Sequence, residues 1–278
     1  MIAMNIGFIG FGSMARMIIR GLIEYAKVDP GSIYVTRKNK DRLSEINSIF
    51  KDIHVVNTCR EIMENAQMVF LCAKPAEIRD ILLEIAPYMT GDTRIVSIAG
   101  SVSIANIQSV IKGKITKYIP TITSETGWGV SLVCHNDQIS GEDAACFDGL
   151  ISHFSKVRYV KEEDFSLATE LTSCMPGFIA SIFDNLTSSA LRHTTSFDIN
   201  TINSLVLDTL FATAKLLVES GMSFDEVVER VATKGGITRE GVTVFDAALP
   251  RVFDMMFDAT LEKRRITEEI INKDYHSV

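Results

Sequence analysis

The feature that most constrains the fold of this chain is a glycine turn near its start. The segment GFIGFGSMA runs from Gly7 to Ala15, and within it Gly10, Gly12 and Ala15 fit the pattern G-x-G-x-x-G/A. The first glycine permits a tight turn, the second lets the backbone approach a pyrophosphate, and the small last residue lets a helix pack against a strand. Because the segment follows an apolar run and opens a helical pattern, it predicts a Rossmann-type dinucleotide-binding domain.

The same turn predicts where a cofactor lies. The unpaired N–H groups at a helix N-terminus attract anions, so the pyrophosphate is expected at the start of the first helix. The residues expected to contact the cofactor there are Gly10, Phe11, Gly12, Ser13 and Met14. The alternative is a glycine turn with a purely structural role.

Short apolar runs alternate with helical patterns through residues 1–162. The runs are continuous, as in strands covered on both faces; they lie at residues 4–9, 32–35, 54–56, 68–73 and 94–99, with further strand candidates at 114–119, 129–135 and 156–160. Helical patterns such as those at 14–26 and 76–86 separate them. This alternation predicts right-handed crossovers and a doubly wound parallel sheet.

The strand signal stops near Glu163, and residues 163–278 are predicted to form a separate all-helical domain. Pro176 lacks an N–H and clashes with the preceding turn, so a helix boundary is expected near Met175. The stretch at 204–218 is more apolar than so small a helical domain can bury alone. We therefore expect a homodimer or a higher homo-oligomer. The segments compatible with helix are 164–174, 177–192, 199–219, 224–232 and 240–270.

Charge and cysteine content exclude several classes of protein. The formal net charge is −7, without a dense run of Lys and Arg, which argues against nucleic-acid binding. Five cysteines without a CxxC pair predict reduced thiols in a cytoplasmic protein. The N-terminus does not resemble a signal peptide. We expect no membrane span, because no apolar run approaches the roughly 20 residues required. We also expect no metal, because the histidines lack ligand spacing.

The end of the second strand predicts the choice of cofactor. An NAD site usually carries Asp or Glu at this place, to bind the ribose 2′-hydroxyl. Here the strand is followed by Thr36, Arg37 and Lys38, which suit a 2′-phosphate. NADPH is therefore the expected cofactor, with NADH as the alternative. A solvated basic turn would also explain these residues.

A second cofactor segment is predicted at the end of the fourth strand. Ala73 and Pro75 lie where open α/β sheets bind their ligands, and they are expected to flank the nicotinamide half of the cofactor. Lys74 lies between them and is either a ligand contact or an ordinary surface lysine.

The order of several motifs resembles the pyrroline-5-carboxylate reductase family over nearly the whole chain. The motifs are GFIGFGSMA, FLCAKPAEI, IVSIAGSV, KYIPTIT with GWGVSLV, and KGGITREG. The resemblance implies a Rossmann domain, a helical dimerisation domain, and hydride transfer from NAD(P)H to a cyclic imine that carries a carboxylate. The expected substrate is 1-pyrroline-5-carboxylate, whose reduction to L-proline is the last step of proline biosynthesis, or a closely related imine. It also adds Asn57, Ala99, Gly100 and Pro120 to the expected cofactor site.

The family resemblance assigns the KGG segment to the substrate. The family holds the substrate carboxylate in a Ser-Pro-Gly-Gly-Thr-Thr loop, and the matching residues here are Thr233, Lys234, Gly235, Gly236, Ile237 and Thr238. Paired glycines let successive N–H groups converge on an anion. Thr238 matches the residue that orients the ring nitrogen and is our candidate catalytic residue. The alternative is that the segment only ends one helix and caps the next, with Thr238 as the cap.

Several positions depart from the family pattern. Thr121 replaces an asparagine, Lys234 replaces a proline, and Ser173 and Met175 replace glycines and add bulk beside the expected substrate site. Cys174 and Met175 are expected to contact the substrate. These changes resemble the late-competence branch of the family. A second hypothesis is therefore a nucleotide-binding accessory protein with weak or no reductase activity.

Two further interpretations carry less weight. A β-hydroxyacid dehydrogenase shares the glycine turn and the helical second half, but it needs a helical lysine that residues 172–190 lack. The basic run at 262–265 is expected to be a solvated helix end, where positive charge favours the helix dipole.

Overall fold

The computed structural model of the chain describes residues 4–39 and 44–276. Within these ranges, eight strands form one sheet in the order β3-β2-β1-β4-β5-β6-β7-β8. The strands are β1 (Ile6–Ile9), β2 (Ile33–Thr36), β3 (His54–Val55), β4 (Met68–Leu71), β5 (Arg94–Ser97), β6 (Lys114–Ile119), β7 (Gly129–His135) and β8 (Ser155–Tyr159). Each overlaps one of the eight predicted runs, with β2 and β8 each extending one residue beyond its run, and the Rossmann-type sheet is confirmed.

One strand pair departs from the predicted parallel arrangement. β6 and β7 are antiparallel, with Thr116 opposite His135 and Ile119 opposite Leu132. They are joined by a short 3₁₀ turn at Ile122–Thr126. A parallel pair needs a crossover of a dozen or more residues, and this connection is too short to supply one.

Helices cover both faces of the sheet. Alternate residues of β1 and β4 point to opposite faces, so Phe8 and Phe70 enter one apolar core while Ile9 and Leu71 enter another. Phe8 and Phe70 stack with their ring centroids 4.9 Å apart. The helices up to residue 165 are α1 (Ser13–Glu24), α2 (Ser44–Ile49), α3 (Cys59–Asn65), α4 (Pro75–Ile85), α5 (Ile104–Val110) and α6 (Gly141–Ile151).

The chain then enters a long helical segment with a π-helical turn inside it. α7 (Phe165–Thr169) is followed by the π turn Glu170–Cys174 and by α8 (Met175–Leu191). The boundary expected at Met175 is present, since α8 begins there. The chain nevertheless does not leave the helical path, because Pro176 falls in the first turn of α8, where a missing N–H costs little.

Two compact units are distinguished by their internal contacts. The first comprises Met1–Pro176 and Leu261–Val278, and the second comprises Gly177–Thr260. The remaining helices are α9 (Ile199–Ser220), α10 (Phe224–Val231) and α11 (Ile237–His276). The last part of α11 belongs to the first unit, where Ile271 and Tyr275 are buried in the same core as Ile107 of α5.

Helix α9 exposes most of its apolar side chains. Among its residues, all of which the structure describes, Ile202 alone is buried. Leu207 is 60% exposed and Phe211 73% exposed. By length and composition alone, α9 could cross a membrane, so the expectation that no apolar segment reaches that length is wrong. Its sequence still contains Asp208 and Lys215.

Candidate functional site

The glycine turn after β1 is held between two neighbouring strands. Gly10 has a φ of +100°, and its N–H donates to the carbonyl oxygen of Thr36 at 2.9 Å. A Cβ at Gly10 would lie 2.4 Å from the carbonyl oxygen of Cys72. Both the positive φ and the close approach require glycine at this position.

The N-terminus of α1 is open to an anion. Gly12 is the N-cap, no side chain caps the helix, and its first turn, fully described, contains no acidic residue. A Cβ at Gly12 would meet no atom within 4 Å. Ser13 and Met14 begin the helix, so their N–H groups have no intrahelical partner. Such a terminus suits a pyrophosphate.

Three residues that are expected to contact the cofactor lie at the end of β2. The Thr36 hydroxyl is buried and has no hydrogen-bond partner in the described parts of the chain. The Arg37 side chain is 16% exposed, with Nη1 3.4 Å from Glu45 Oε2. The Lys38 side chain is 89% exposed, and its Nζ lies 3.1 Å from Glu77 Oε1. Arg37 is thus the better-ordered cation of the pair.

The end of β4 leads directly into α4. Lys74 is the N-cap residue and Pro75 the first residue of the helix. Glu77 accepts from the Lys74 backbone N–H at 3.4 Å and from Lys38 Nζ at 3.1 Å. The hydrogen bond from Lys38 lowers the pKa of Glu77 from its ordinary value. Ala73, which precedes Lys74, is partly buried.

The other residues expected at the cofactor also lie near carboxyl ends of strands. Asn57 follows β3, and its backbone N–H donates to Glu61 Oε2 at 3.1 Å. Ala99 and Gly100 follow β5, and Pro120 follows β6. The parallel sheet therefore brings the expected cofactor residues to one edge of the first unit.

Cys174 and Met175 lie where the π turn meets α8, and both are partly exposed. Burial raises the pKa of the Cys174 thiol, and the charge of Glu170 raises it further. Both residues belong to the first unit.

The predicted substrate loop, residues 233–238, belongs to the second unit. Gly235 has a φ of +75°, and the Gly236 N–H donates to the Thr233 carbonyl at 2.9 Å. Arg239 fixes the loop from the helix side, because its Nε donates to the Ala232 carbonyl at 2.9 Å. Lys234 and Ile237 are exposed. The sequence therefore forms a tight turn whose side chains face solvent in this chain.

Thr238 does not cap the following helix. α11 begins at Ile237, one residue before it. The Thr238 side chain is exposed, and no bond from its hydroxyl occurs among the described residues. The capping alternative is therefore wrong for Thr238, and its hydroxyl is available to a ligand.

One buried ion pair of the first unit is not predicted by the sequence. Arg264 Nη2 lies 2.7 Å from Glu170 Oε1, and their side chains are 15% and 3% exposed. The expectation of a solvated helix end at 262–265 is wrong here, because α11 continues to His276 and Arg264 turns inward. Nothing in the local sequence signals this pairing, since the partners are 94 residues apart.

Family comparisons match both parts of the chain. Residues 162–266 match the family described as pyrroline-5-carboxylate reductase dimerisation. Residues 5–101 match the family described as NADP oxidoreductase, coenzyme F420-dependent.

Relatives match over nearly the full length. The chain is 37% identical to pyrroline-5-carboxylate reductase 3 of Bacillus subtilis, over 97% of this chain and 98% of that protein. It is 25% identical to ComE operon protein 4 of the same organism, over 98% and 100%. Among solved structures, Plasmodium falciparum pyrroline carboxylate reductase with NADP bound has a TM-score of 0.84 at 18% identity, over 95% of this chain and 98% of that one.

Proposed function

We propose that this chain, which belongs to the pyrroline-5-carboxylate reductase family, reduces 1-pyrroline-5-carboxylate to L-proline with NADPH. The chain is an NAD(P)H-dependent oxidoreductase with an N-terminal Rossmann-type domain and a C-terminal dimerisation domain. The observation that carries the proposal is the open N-terminus of α1 beside Gly10, in a chain that matches a reductase over 97% of its length. We propose the functional division at residues 1–162 and 163–278.

The residues at the sheet edge fit a dinucleotide. When bound, the nicotinamide supplies the hydride. The N–H groups at the start of α1 would hold the pyrophosphate, and the unpartnered Thr36 hydroxyl and the Arg37 guanidinium would hold a 2′-phosphate. These two residues favour NADPH over NADH, because neither offers the carboxylate that accepts from a ribose 2′-hydroxyl. We propose Ala73, Pro75, Ala99, Gly100 and Pro120 as the lining of the nicotinamide end.

We propose that the loop at 233–238 binds the carboxylate of the imine. The positive φ of Gly235 turns the backbone N–H groups, and Arg239 holds the turn in place. The free hydroxyl of Thr238 is suited to orient the ring nitrogen, which must carry a proton or a hydrogen bond for the imine carbon to accept hydride. Orientation of the two reactants in a dry site would supply much of the rate. Cys174 and Met175 complete the proposed substrate set.

The direct test is NADPH oxidation with pyrroline-5-carboxylate and with its six-membered homologue. We expect Thr238→Ala to lower kcat by roughly 10- to 1000-fold, as for loss of one orienting hydrogen bond, and to leave the NADPH dissociation constant unchanged. A variant as active as the wild type would remove Thr238 from the mechanism. Activity on the six-membered ring alone would replace the proposed substrate.

A second candidate function is that of a nucleotide-binding accessory protein. It is favoured by the full-length match to ComE operon protein 4 and by the changed positions Thr121, Met175 and Lys234. Complementation of a proline auxotroph separates the two functions. Growth supports the reductase, whereas no growth with a chain that binds NADPH supports the accessory protein.

The dimerisation match indicates a homo-oligomer, and we propose a dimer as its smallest form. The exposed apolar residues of α9 are suited to pack against a second copy rather than a bilayer. Cys72, Cys134, Cys146 and Cys174 form no disulfide among the described residues, so we propose a cytoplasmic enzyme. That the chain binds neither metal nor nucleic acid stays a prediction.

A further inference from the structure

The ion pair between Glu170 and Arg264 leaves one edge of the guanidinium unused. Arg264 donates from Nε at 3.3 Å and from Nη2 at 2.7 Å, and both bonds go to Oε1 of Glu170. Nη1 donates to no oxygen or nitrogen of the described residues, and the side chain is 15% exposed. The buried Oε2 of Glu170 also has no hydrogen-bond partner within residues 4–39 and 44–276. The ion pair therefore fixes the position of the guanidinium but does not use all of its hydrogen-bond donors.

The unused edge lies at the nicotinamide end of the sheet edge. A Cβ at Gly100 would stand 3.5 Å from Arg264 Nη1 and 3.7 Å from Ile119 Cδ1. Gly100 follows β5, and Ile119 ends β6. A dinucleotide whose adenosine lies at β2 and whose pyrophosphate lies at β1 places its nicotinamide beyond β4, toward β5. Arg264 thus brings a positive charge to the place where the hydride acceptor must bind.

We propose that Arg264 binds the carboxylate of the cyclic imine through Nη1, and that Glu170 is the positioning residue that fixes its guanidinium. The inference rests on the proposed function. A guanidinium matches a carboxylate in charge and geometry better than any other side chain. A carboxylate offers about four acceptor sites, so one guanidinium nitrogen needs to supply only part of its hydrogen bonds.

A purely structural pair explains the arrangement less well. Burying two charges costs free energy that good mutual geometry must offset. Here two donors of Arg264 share one oxygen of Glu170, while the buried second oxygen has no hydrogen-bond partner in the parts of the chain that the structure describes. The π turn carries Glu170 and also Cys174, a residue predicted to contact the substrate. π turns occur frequently at functional sites.

The test compares an acidic substrate with a neutral one. Pyrroline-5-carboxylate carries the carboxylate, and 1-pyrroline lacks it. The main variant is Glu170→Met with Arg264→Met, because removing one partner alone would bury an unpaired charge. We expect kcat/KM for pyrroline-5-carboxylate to fall roughly 10- to 100-fold, the loss typical of a charged hydrogen bond. The value for 1-pyrroline should change by less than about threefold.

Two further variants test the assigned roles. Glu170→Gln should raise the KM for the acidic imine and leave 1-pyrroline unchanged, because it loosens the guanidinium without removing it. Arg264→Lys keeps the charge, and we expect it to recover part of the loss. The Arg264→Lys variant also serves if the double variant fails to fold. The matched control is Arg265→Met, since Arg265 neighbours Arg264 but is 56% exposed; it should behave as the wild type.

Each remaining outcome decides the inference. Equal losses of kcat/KM for both imines would show that the ion pair of Glu170 and Arg264 is structural, and would overturn the proposal. A higher KM for NADPH with unchanged KM for the imine would assign Nη1 to the nicotinamide carboxamide instead. If the wild type reduces neither imine, the proposed function fails. Calorimetry then measures the binding of L-proline and of pyrrolidine to the NADP⁺-loaded chain. The role of Arg264 is overturned if L-proline binds no better than pyrrolidine, or if it binds the wild type and the double variant equally.

Discussion

Gly10 lies directly against the carbonyl of Cys72: a Cβ at Gly10 would stand 2.4 Å from that oxygen, at a backbone φ of +100°. A side chain there meets both an unfavourable backbone conformation and the carbonyl of the residue that directly follows the neighbouring strand β4. Gly10→Ala is therefore expected to lower the free energy of unfolding by about 2–4 kcal/mol. Urea denaturation measures this loss.

Gly12→Ala is the matched variant in the same turn. A Cβ at Gly12 would meet no atom within 4 Å, so the free energy of unfolding should change by less than about 1 kcal/mol. The new methyl group would still stand where the pyrophosphate must approach the backbone, and we expect the NADPH dissociation constant to rise roughly 10-fold or more. Unchanged affinity in a folded Gly12→Ala chain would place the pyrophosphate elsewhere.

Cofactor choice is predicted to depend on Arg37 more than on Lys38. The Arg37 side chain is 16% exposed and held by Glu45, whereas Lys38 is 89% exposed. An ordered, partly buried cation binds a 2′-phosphate more strongly than a solvated one. Arg37→Ala should raise the KM for NADPH roughly 10- to 100-fold and that for NADH by less than about threefold.

Lys38→Ala is the control for that measurement and should raise the KM for NADPH only a few-fold. Steady-state kinetics at saturating imine give the KM of each of the two variants for NADPH and for NADH. If Arg37→Ala raises the KM for NADPH and the KM for NADH equally, Arg37 does not bind the 2′-phosphate, and the prediction is contradicted.

The strands and the glycine turn could be predicted from the sequence because they are local. β6 and β7 have the bounds expected from their apolar runs, Lys114–Ile119 and Gly129–His135. A strand that is covered on both faces has an uninterrupted run of apolar residues. This run can be recognised without knowing which strand pairs with it. The direction in which β7 pairs with β6 depends on the length of the connection, and the parallel prediction overlooked it.

The ion pair of Glu170 and Arg264 could not be predicted in the same way. The partners are 94 residues apart, and neither has an unusual local sequence. Arg264 lies in a basic run, which predicts exposure to solvent. Only the packing of α11 in the first unit buries the Arg264 side chain. The π turn likewise results from tertiary packing, since residues 164–174 fit a regular helix by pattern alone.

Association of the chain is predicted to depend on the apolar side chains of α9. Phe211 is 73% exposed and Leu207 60% exposed on a helix of the dimerisation domain. Phe211→Glu would place a charge within that surface, and we expect the dissociation constant of the oligomer to rise 100-fold or more. Light scattering at micromolar concentration should show mainly monomer.

Lys156→Glu serves as the control for association, because Lys156 is exposed on β8, in the first unit. Its charge change should leave the oligomer intact. A Phe211→Glu chain that stays associated as strongly as the wild type would move the interface away from this part of α9.

Acid sensitivity is predicted to depend on Asp143. Its Oδ1 lies 2.7 Å from Arg94 Nη2 and its Oδ2 3.0 Å from Lys114 Nζ, and Arg94 is nearly fully buried. Burial alone would raise the pKa of Asp143, but hydrogen bonds from Ser140 and Lys114 and the charge of Arg94 outweigh it and hold the pKa well below its usual range.

The sign of the pH effect follows from that lowered pKa. The unfolded chain takes up the proton near pH 4, whereas the folded carboxyl stays ionised, so the stability that Asp143 contributes is present above pH 4 and is lost as the pH falls toward its folded pKa. Asp143→Asn should cost about 3 kcal/mol at pH 7, because it leaves the Arg94 charge buried without its partner. It should also flatten the fall in stability between pH 5 and pH 3, by up to about 1.4 kcal/mol per pH unit.

Urea denaturation at pH 7, 5, 4 and 3, at one fixed protein concentration, measures both effects. Asp137→Asn, at an exposed position beyond β7, should show the same acid slope as the wild type. If Asp143→Asn shows that slope as well, the carboxyl of Asp143 does not carry the acid sensitivity.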